Sequence, residues 1–250
     1  MFGAMKRALA AFIVAIAATA FVVIARAEPP ATPTLVELFT SQGCSSCPPA
    51  DAFVAELAKR DDVIVLSMHV TYWDYIGWTD PFGSEAATDR QKAYGRRLKR
   101  GMIYTPQMVI DGTYEEIGSN RTAVKRAIAK ASTATGLAIE LALDNDGLVV
   151  SIPGAHFEGA ATVWLARYDA EQVTEIPRGE NSGRRLRNVN VVRDLREIGA
   201  WTGLPLELRL PASLLTSGEG GRDGCVIIVQ EDGFGRVLGA RKMALAGGSS

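Results

Sequence analysis

Apolar and polar positions keep one rhythm through the first half of this chain and another through the second. Residues 34–40 (TLVELFT) are a short run rich in β-formers, preceded by Pro33 and ended by Ser41, Gln42 and Gly43. Such a run predicts a buried strand. After Cys47, Pro48 and Pro49 suit the first turn of a helix, and Ala50, Phe53, Val54 and Leu57 recur at helical spacing. Residues 63–69 (VIVLSMH) predict a second buried strand, and strand, helix, strand implies a parallel pair with a right-handed crossover. Residues 84–99 are polar, with Ala87, Gln91, Tyr94 and Leu98 on one helical face, although Gly95 weakens the pattern. Residues 107–110 and 113–117 flank Asp111 and Gly112, a hairpin signal. Residues 120–131 then close the segment as an amphipathic helix through Ala123, Val124, Ala127 and Ile128.

From Leu137 onward the pattern shortens. LAIELAL, LVVSI and ATVWLARY are separated by turn residues, and further apolar runs follow at 188–198, 204–210, 225–230 and 236–243. Spacing of this kind predicts strands. The expected organisation is an α/β N-terminal domain over residues 34–133 and a β-sandwich-like C-terminal domain over 137–245. Between two of the later strands lies PRGENSGRRLRN, where Arg178, Arg184, Arg185 and Arg187 either contact an anion or flank a solvated turn.

The first residues bear on where the protein works. Lys6 and Arg7 precede an apolar run over 8–25, and Ala25, Arg26 and Ala27 supply small residues for cleavage. Residues 1–27 therefore read as a signal peptide, with an uncleaved anchor as the rival reading. No later segment looks transmembrane, so no stable membrane span is expected after cleavage. Of the 27 basic residues, Lys6, Arg7 and Arg26 would be lost, leaving 24 against 28 acidic ones. A net charge near −4 argues against nucleic acid as a partner. The expected location is periplasmic or secreted, where a disulfide can persist.

Three cysteines are too few for a disulfide-stapled scaffold. Cys44 and Cys47, in GCSSCPPAD, stand three positions apart at the start of a predicted helix, where the dipole lowers a thiol pKa. Cys44 is assigned as the attacking thiol and Cys47 as the resolving one. Cys225, in GCVIIVQ, is expected to be a buried, inert core residue. A structural zinc site would need more ligands than one CxxC and a distant cysteine. Copper(I) held by the two thiolates, with or without His69, is chemically reasonable for soft ligands, and an inert closed disulfide is a further alternative. No cofactor and no resident metal are expected.

The order of elements, with CxxC opening the first helix and Pro106 leading into the third strand after Thr105, resembles the thioredoxin fold over residues 34–133. VELFTSQGCSSCPPAD, HVTYWDYIGWTDPF, YTPQMVIDG and GENSGRRLRNVNVVR together resemble domain-of-unknown-function family 1223 over nearly the whole mature chain. The thioredoxin resemblance implies that Pro106 is cis beside the thiols and that Thr105 pairs with an extended substrate segment. It also implies a buried acid relaying a proton to the resolving thiol, with Glu37 as the candidate. Gly43 departs from the tryptophan usual before the first cysteine, and SS replaces the usual dipeptide. Trp73, with Tyr72, Tyr75 and Trp78, falls in the loop after the second strand. Loops at the carboxyl ends of parallel strands share one edge of the sheet, so this loop is expected to border Cys44 and contact substrate.

The expected function is an exported thiol:disulfide oxidoreductase that acts on protein thiols or disulfides and is recharged by a separate redox partner. The alternatives are a copper(I)-binding module and a non-catalytic scaffold on a thioredoxin-like fold.

Overall fold

A computed structural model describes residues 32–132 and 136–245. Residues 1–27, expected to be a signal peptide, lie outside the described residues. Among those described, no helix is long and apolar enough to cross a membrane.

The chain is mixed α/β, built on one large sheet. Its first half contains β1 (Thr34–Thr40), α1 (Pro48–Leu57), β2 (Val63–His69), α2 (Glu85–Arg97), β3 (Gln107–Ile110), β4 (Tyr114–Ile117) and α3 (Arg121–Ala131). β1 runs parallel to β2 and antiparallel to β3, so it is central and buried along its whole length. Strand alternation sends its side chains to two cores. Val36 and Leu38 pack with Phe53, Val54 and Leu57 of α1 and with α3. Leu35 and Phe39 pack on the other face with Tyr94 of α2.

Local signals fix the boundaries. Ser84 caps α2 by accepting from the Ala87 N–H at 3.3 Å, and Asn120 caps α3 by accepting from the Ala123 N–H at 3.2 Å. Gly95 does not interrupt α2; it is buried beside Ile103. Asp111 and Gly112 both have positive φ (45° and 64°), the backbone demanded by a two-residue hairpin turn.

The second half comprises β5 (Glu140–Leu143), β6 (Gly147–Ile152), β7 (Ala161–Glu175), β8 (Arg185–Trp201), β9 (Leu206–Pro211), α4 (Ala212–Thr216), β10 (Gly224–Glu231) and β11 (Val237–Ala244). Here the architecture differs from a sandwich confined to residues 137–245. Four of these strands extend the first sheet, whose order is β11-β10-β7-β8-β2-β1-β3-β4. The seam is a parallel contact at Ser67 and Val191. Side chains stitch it, with Ser67 Oγ donating to Val189 O at 2.8 Å and Asn190 Nδ2 donating to Val65 O at 2.9 Å. A separate sheet, β5-β6-β9, covers one face of the large one. Leu148, Val150 and Ile152 meet Val163, Leu165, Ile227 and Val229 across that interface. β7 and β8 run well past their predicted ends as a long hairpin, whose tip at residues 176–184 reaches back to the N-terminal half.

Candidate active site

β1 and β2 end on the same edge of the sheet, and three polar loops meet there. The turn after β1 carries Cys44 and Cys47, which form a disulfide with a Cα–Cα distance of 5.5 Å. The loop after β2 carries Trp73 and a 3₁₀ turn at Asp74–Ile76. The segment before β3 carries Thr105 and Pro106, joined by a cis peptide bond.

These residues touch in series. The indole Nε1 of Trp73 donates to Thr105 Oγ1 at 2.7 Å, and Thr105 Oγ1 donates to Cys44 Sγ at 3.3 Å. Because the indole occupies a lone pair of the hydroxyl oxygen, the hydroxyl proton is turned toward sulfur. Ser46 Oγ also lies 3.3 Å from Cys44 Sγ. Cys44, Cys47, Thr105, Pro106 and Trp73 are thus brought to one place.

The helix start is arranged differently from expectation. Cys47, not Cys44, is the N-cap of α1, and Pro48 and Pro49 occupy its first turn. Proline has no N–H, so two of the amides that would favour a thiolate are missing and hydroxyl donors stand beside Cys44 instead. Gly43 lacks a positive φ; its smallness serves close packing, since a Cβ there would stand 3.2 Å from Trp73 Cβ and Trp73 O.

Glu37 is held away from the pair. As an odd-numbered β1 residue it faces α2, across the sheet from α1, and its carboxylate accepts from Arg90 Nε at 2.6 Å and from Tyr94 Oη at 2.5 Å. Gln230 joins this buried network through Arg90 and Tyr94. Strand alternation explains the misplacement, because an acid in β1 must choose one face and the guanidinium lies on the far one.

A different buried acid lies on α1. Asp51 follows Cys47 by one helical turn, its N–H donates to Cys47 O at 3.1 Å, and its carboxylate accepts from Thr40 Oγ1 at 2.8 Å. Burial raises its pKa from 3.8 to about 6, against the opposing pull of the His69 charge and the Thr40 hydrogen bond. Asp51 also borders a cavity of about 390 Å³ between α1 and the start of β8, lined in addition by Lys59, Arg185 and Arg187. Asp51 was missed because it sits in the helical register of core residues. An acid beside Ala50, Phe53 and Val54 was the available signal.

His69 is buried with its Nδ1 2.7 Å from Asp80 Oδ2. Burial lowers the imidazole pKa, but the Asp80 carboxylate more than offsets this and the net shift is upward. Asp80 also accepts from the Gln42 N–H at 2.7 Å, tying the Trp73 loop to the CxxC turn. Among the described residues, no group of three or more His, Cys, Asp or Glu side chains is placed to hold a metal ion. The loop aromatics are partly spent on structure, since Tyr72 donates to Gln91 and Trp78 donates to Gln42, whereas Tyr75 is 82% exposed.

The hairpin tip forms the third wall. Asn181 is buried and donates from Nδ2 to Gln42 O at 2.9 Å and to Cys44 O at 3.0 Å, and Glu180 Oε2 accepts from the Ser45 N–H at 3.4 Å. Cys44 is left only 1% exposed and Cys47 is fully covered. Within the arginine-rich stretch, Arg187 forms a bidentate pair with Glu171 and Arg185 lies 3.5 Å from Glu175, so both engage acids across the hairpin. Cys225 is buried in the β10 core, and burial raises its thiol pKa to about 11.

Comparison with known proteins places the chain without supplying an activity. A crystal structure of protein AGR_C_4864 from Agrobacterium tumefaciens is similar, with 29% identity and a TM-score of 0.76 over 89% of this chain and 98% of that one. HBP35 of Porphyromonas gingivalis shares the fold at 13% identity and a TM-score of 0.56, over 87% of this chain and 76% of that one. No curated protein matches the sequence. The family model described as "Protein of unknown function (DUF1223)" matches residues 35–230, and the chain belongs to that family.

Proposed function

We propose that the protein is an exported thiol:disulfide oxidoreductase of thioredoxin-like design, acting on protein thiols through Cys44 and Cys47. The observation that carries this reading is the relay of hydrogen bonds from Trp73 through Thr105 to Cys44 Sγ. A donor aimed at one sulfur of a disulfide favours the thiolate of that sulfur over its thiol. Cys44 is therefore the nucleophile and the sulfur that carries the mixed disulfide.

In the oxidising direction, a substrate thiolate attacks Cys44 Sγ and the Cys44–Cys47 bond breaks, with Cys47 leaving as a thiolate. Asp51, protonated through part of the neutral range, supplies the proton that makes Cys47 a thiol. A second substrate thiolate then attacks the substrate sulfur of the mixed disulfide, releasing Cys44. Two electrons pass from the substrate dithiol to the protein, and reversal of the steps reduces a substrate disulfide. The cavity beside Asp51 gives that acid a route to exchange its proton with water. Thr105, Pro106 and Trp73 form the wall against which an extended substrate segment aligns, and Tyr75 adds an exposed apolar contact.

The reading is tested by oxidation of a reduced, cysteine-containing model protein with glutathione buffer as electron acceptor. The protein should accelerate oxidation, and a Cys44→Ser variant should not; equal rates with both would overturn the proposal.

A further inference from the structure

Asn181 lies 137 residues from Cys44 and grips its carbonyl. Its buried Nδ2 is shared between Cys44 O and Gln42 O, and both acceptors belong to the turn that must readjust if the disulfide opens. Gln42 reciprocates, donating from Nε2 to Thr174 Oγ1 at 3.0 Å and to Asn188 Oδ1 at 3.1 Å, one residue on each leg of the hairpin. The tip itself is self-supporting, with Ile176 N–H bonded to Arg184 O, Gly183 N–H to Ile176 O and Ser182 N–H to Gly179 O. It therefore seats or lifts as a unit. Packing is close where it meets the Trp73 loop, since a Cβ on Gly179 would stand 3.1 Å from Trp78 Cβ.

We infer that Asn181 is a redox-linked latch, seating the 176–184 tip over the Cys44–Cys47 pair in the disulfide form and releasing it when the pair is reduced. The inference rests on the proposed exchange activity. Reduction by a dithiol breaks the Cys44–Cys47 bond, adds two electrons and two protons to its sulfurs, and closes the reductant's own disulfide. The two sulfurs then move apart. Cys47 is fixed as the N-cap of α1, so the displacement falls on Cys44, whose carbonyl Asn181 holds. The grip also lacks a full set of partners. Asn181 Oδ1 and Asn188 Nδ2 are both buried without hydrogen-bond partners, which offsets part of what the latch contributes and makes release less costly. Because Cys44 is almost wholly covered while the tip is seated, attack on the disulfide follows transient lifting of the tip, and the latch also controls access to the sulfur.

Coupling of this kind is reciprocal: if reduction loosens the tip, loosening the tip favours reduction by the same factor. The test is the equilibrium of the full mature chain with dithiothreitol, comparing the parent with Asn181→Ala after confirming that the oxidised variant melts cooperatively. Loss of one net hydrogen bond should shift the equilibrium about five-fold toward the dithiol. Hydrogen exchange in the unsubstituted protein provides a measurement free of any folding defect. The side-chain amide of Asn181, buried and bonded across the contact to Gln42 O and Cys44 O, should exchange at least five-fold faster in the reduced form, while β10 stays unchanged. Equal equilibrium constants for parent and folded variant, or equal tip exchange in both redox states, overturn the latch and leave the oxidoreductase reading standing. A parent pair that dithiothreitol does not reduce overturns both.

Discussion

Thr105 Oγ1 donates to Cys44 Sγ at 3.3 Å while accepting from the Trp73 indole, so the sulfur assigned as nucleophile is addressed by a hydroxyl whose direction is fixed. With Pro48 and Pro49 removing amide donors from the start of α1, this hydroxyl and that of Ser46 are the side-chain groups placed against Cys44 Sγ. Thr105→Val should raise the Cys44 thiol pKa by about one unit, the scale of a hydrogen bond to a charged group. Trp73→Phe should produce a smaller rise in the same direction. The pH dependence of thiolate absorbance near 240 nm in the reduced protein checks both, and an unmoved pKa in Thr105→Val would remove the hydroxyl from the mechanism.

Asp51 predicts a pH dependence with a definite sign. Its carboxyl titrates at about 6 in the folded protein against 3.8 ordinarily. The folded state thus binds the proton more tightly than the unfolded chain, and stability falls as pH rises from about 4 to about 6, staying lower above that. The upper bound on the loss is about 3 kcal/mol. Asp51→Asn should flatten the dependence and make the protein more stable near pH 7, while slowing exchange on the order of 100-fold if Asp51 moves the proton. Urea melts across this pH range, paired with exchange rates, separate the two effects.

The His69 pair works in the same direction at higher pH. Its imidazole pKa is raised by Asp80 after burial has lowered it, so its contribution is complete below the ordinary histidine range and is lost as pH climbs through the folded value. Asp80→Asn should reverse that dependence, because burial alone lowers the imidazole pKa. It should also loosen the CxxC turn, because Asp80 holds the Gln42 N–H. NMR titration of the imidazole checks the first outcome.

Glu37 is expected to be structural. Glu37→Gln leaves the buried Arg90 charge without its carboxylate and should cost about 3–5 kcal/mol in denaturant unfolding. Exchange rates of the remaining folded protein should match the parent, and a selective loss of rate at unchanged stability would contradict this assignment.

Much of the first half was legible because its signals are local. The β1 run is apolar on both faces, α1 carries its stripe in four residues, and Asp111–Gly112 names its own turn. Cys44, Cys47, Thr105 and Pro106 could be joined once the order of elements was known. Asn181 could not, because nothing in ENSG distinguishes a surface turn from one seated 137 residues away. Glu37 shows the limit of period-two reasoning, since a run buried on both sides does not say which face an acid takes. The shared sheet was hidden for a related reason: the β2–β8 seam is one short parallel contact held by Ser67 and Asn190, and such pairing leaves no periodic trace.

The most direct measurement is covalent trapping. In Cys47→Ser, Cys44 has no resolving partner, so a mixed disulfide with a thiol-bearing protein substrate should accumulate and run as a reducible adduct on non-reducing gels. Cys44→Ser, which leaves the covered Cys47 and the buried Cys225, should form none. Adducts through Cys44 alone are the predicted result; their absence from Cys47→Ser, or equal adducts in both variants, would contradict the account.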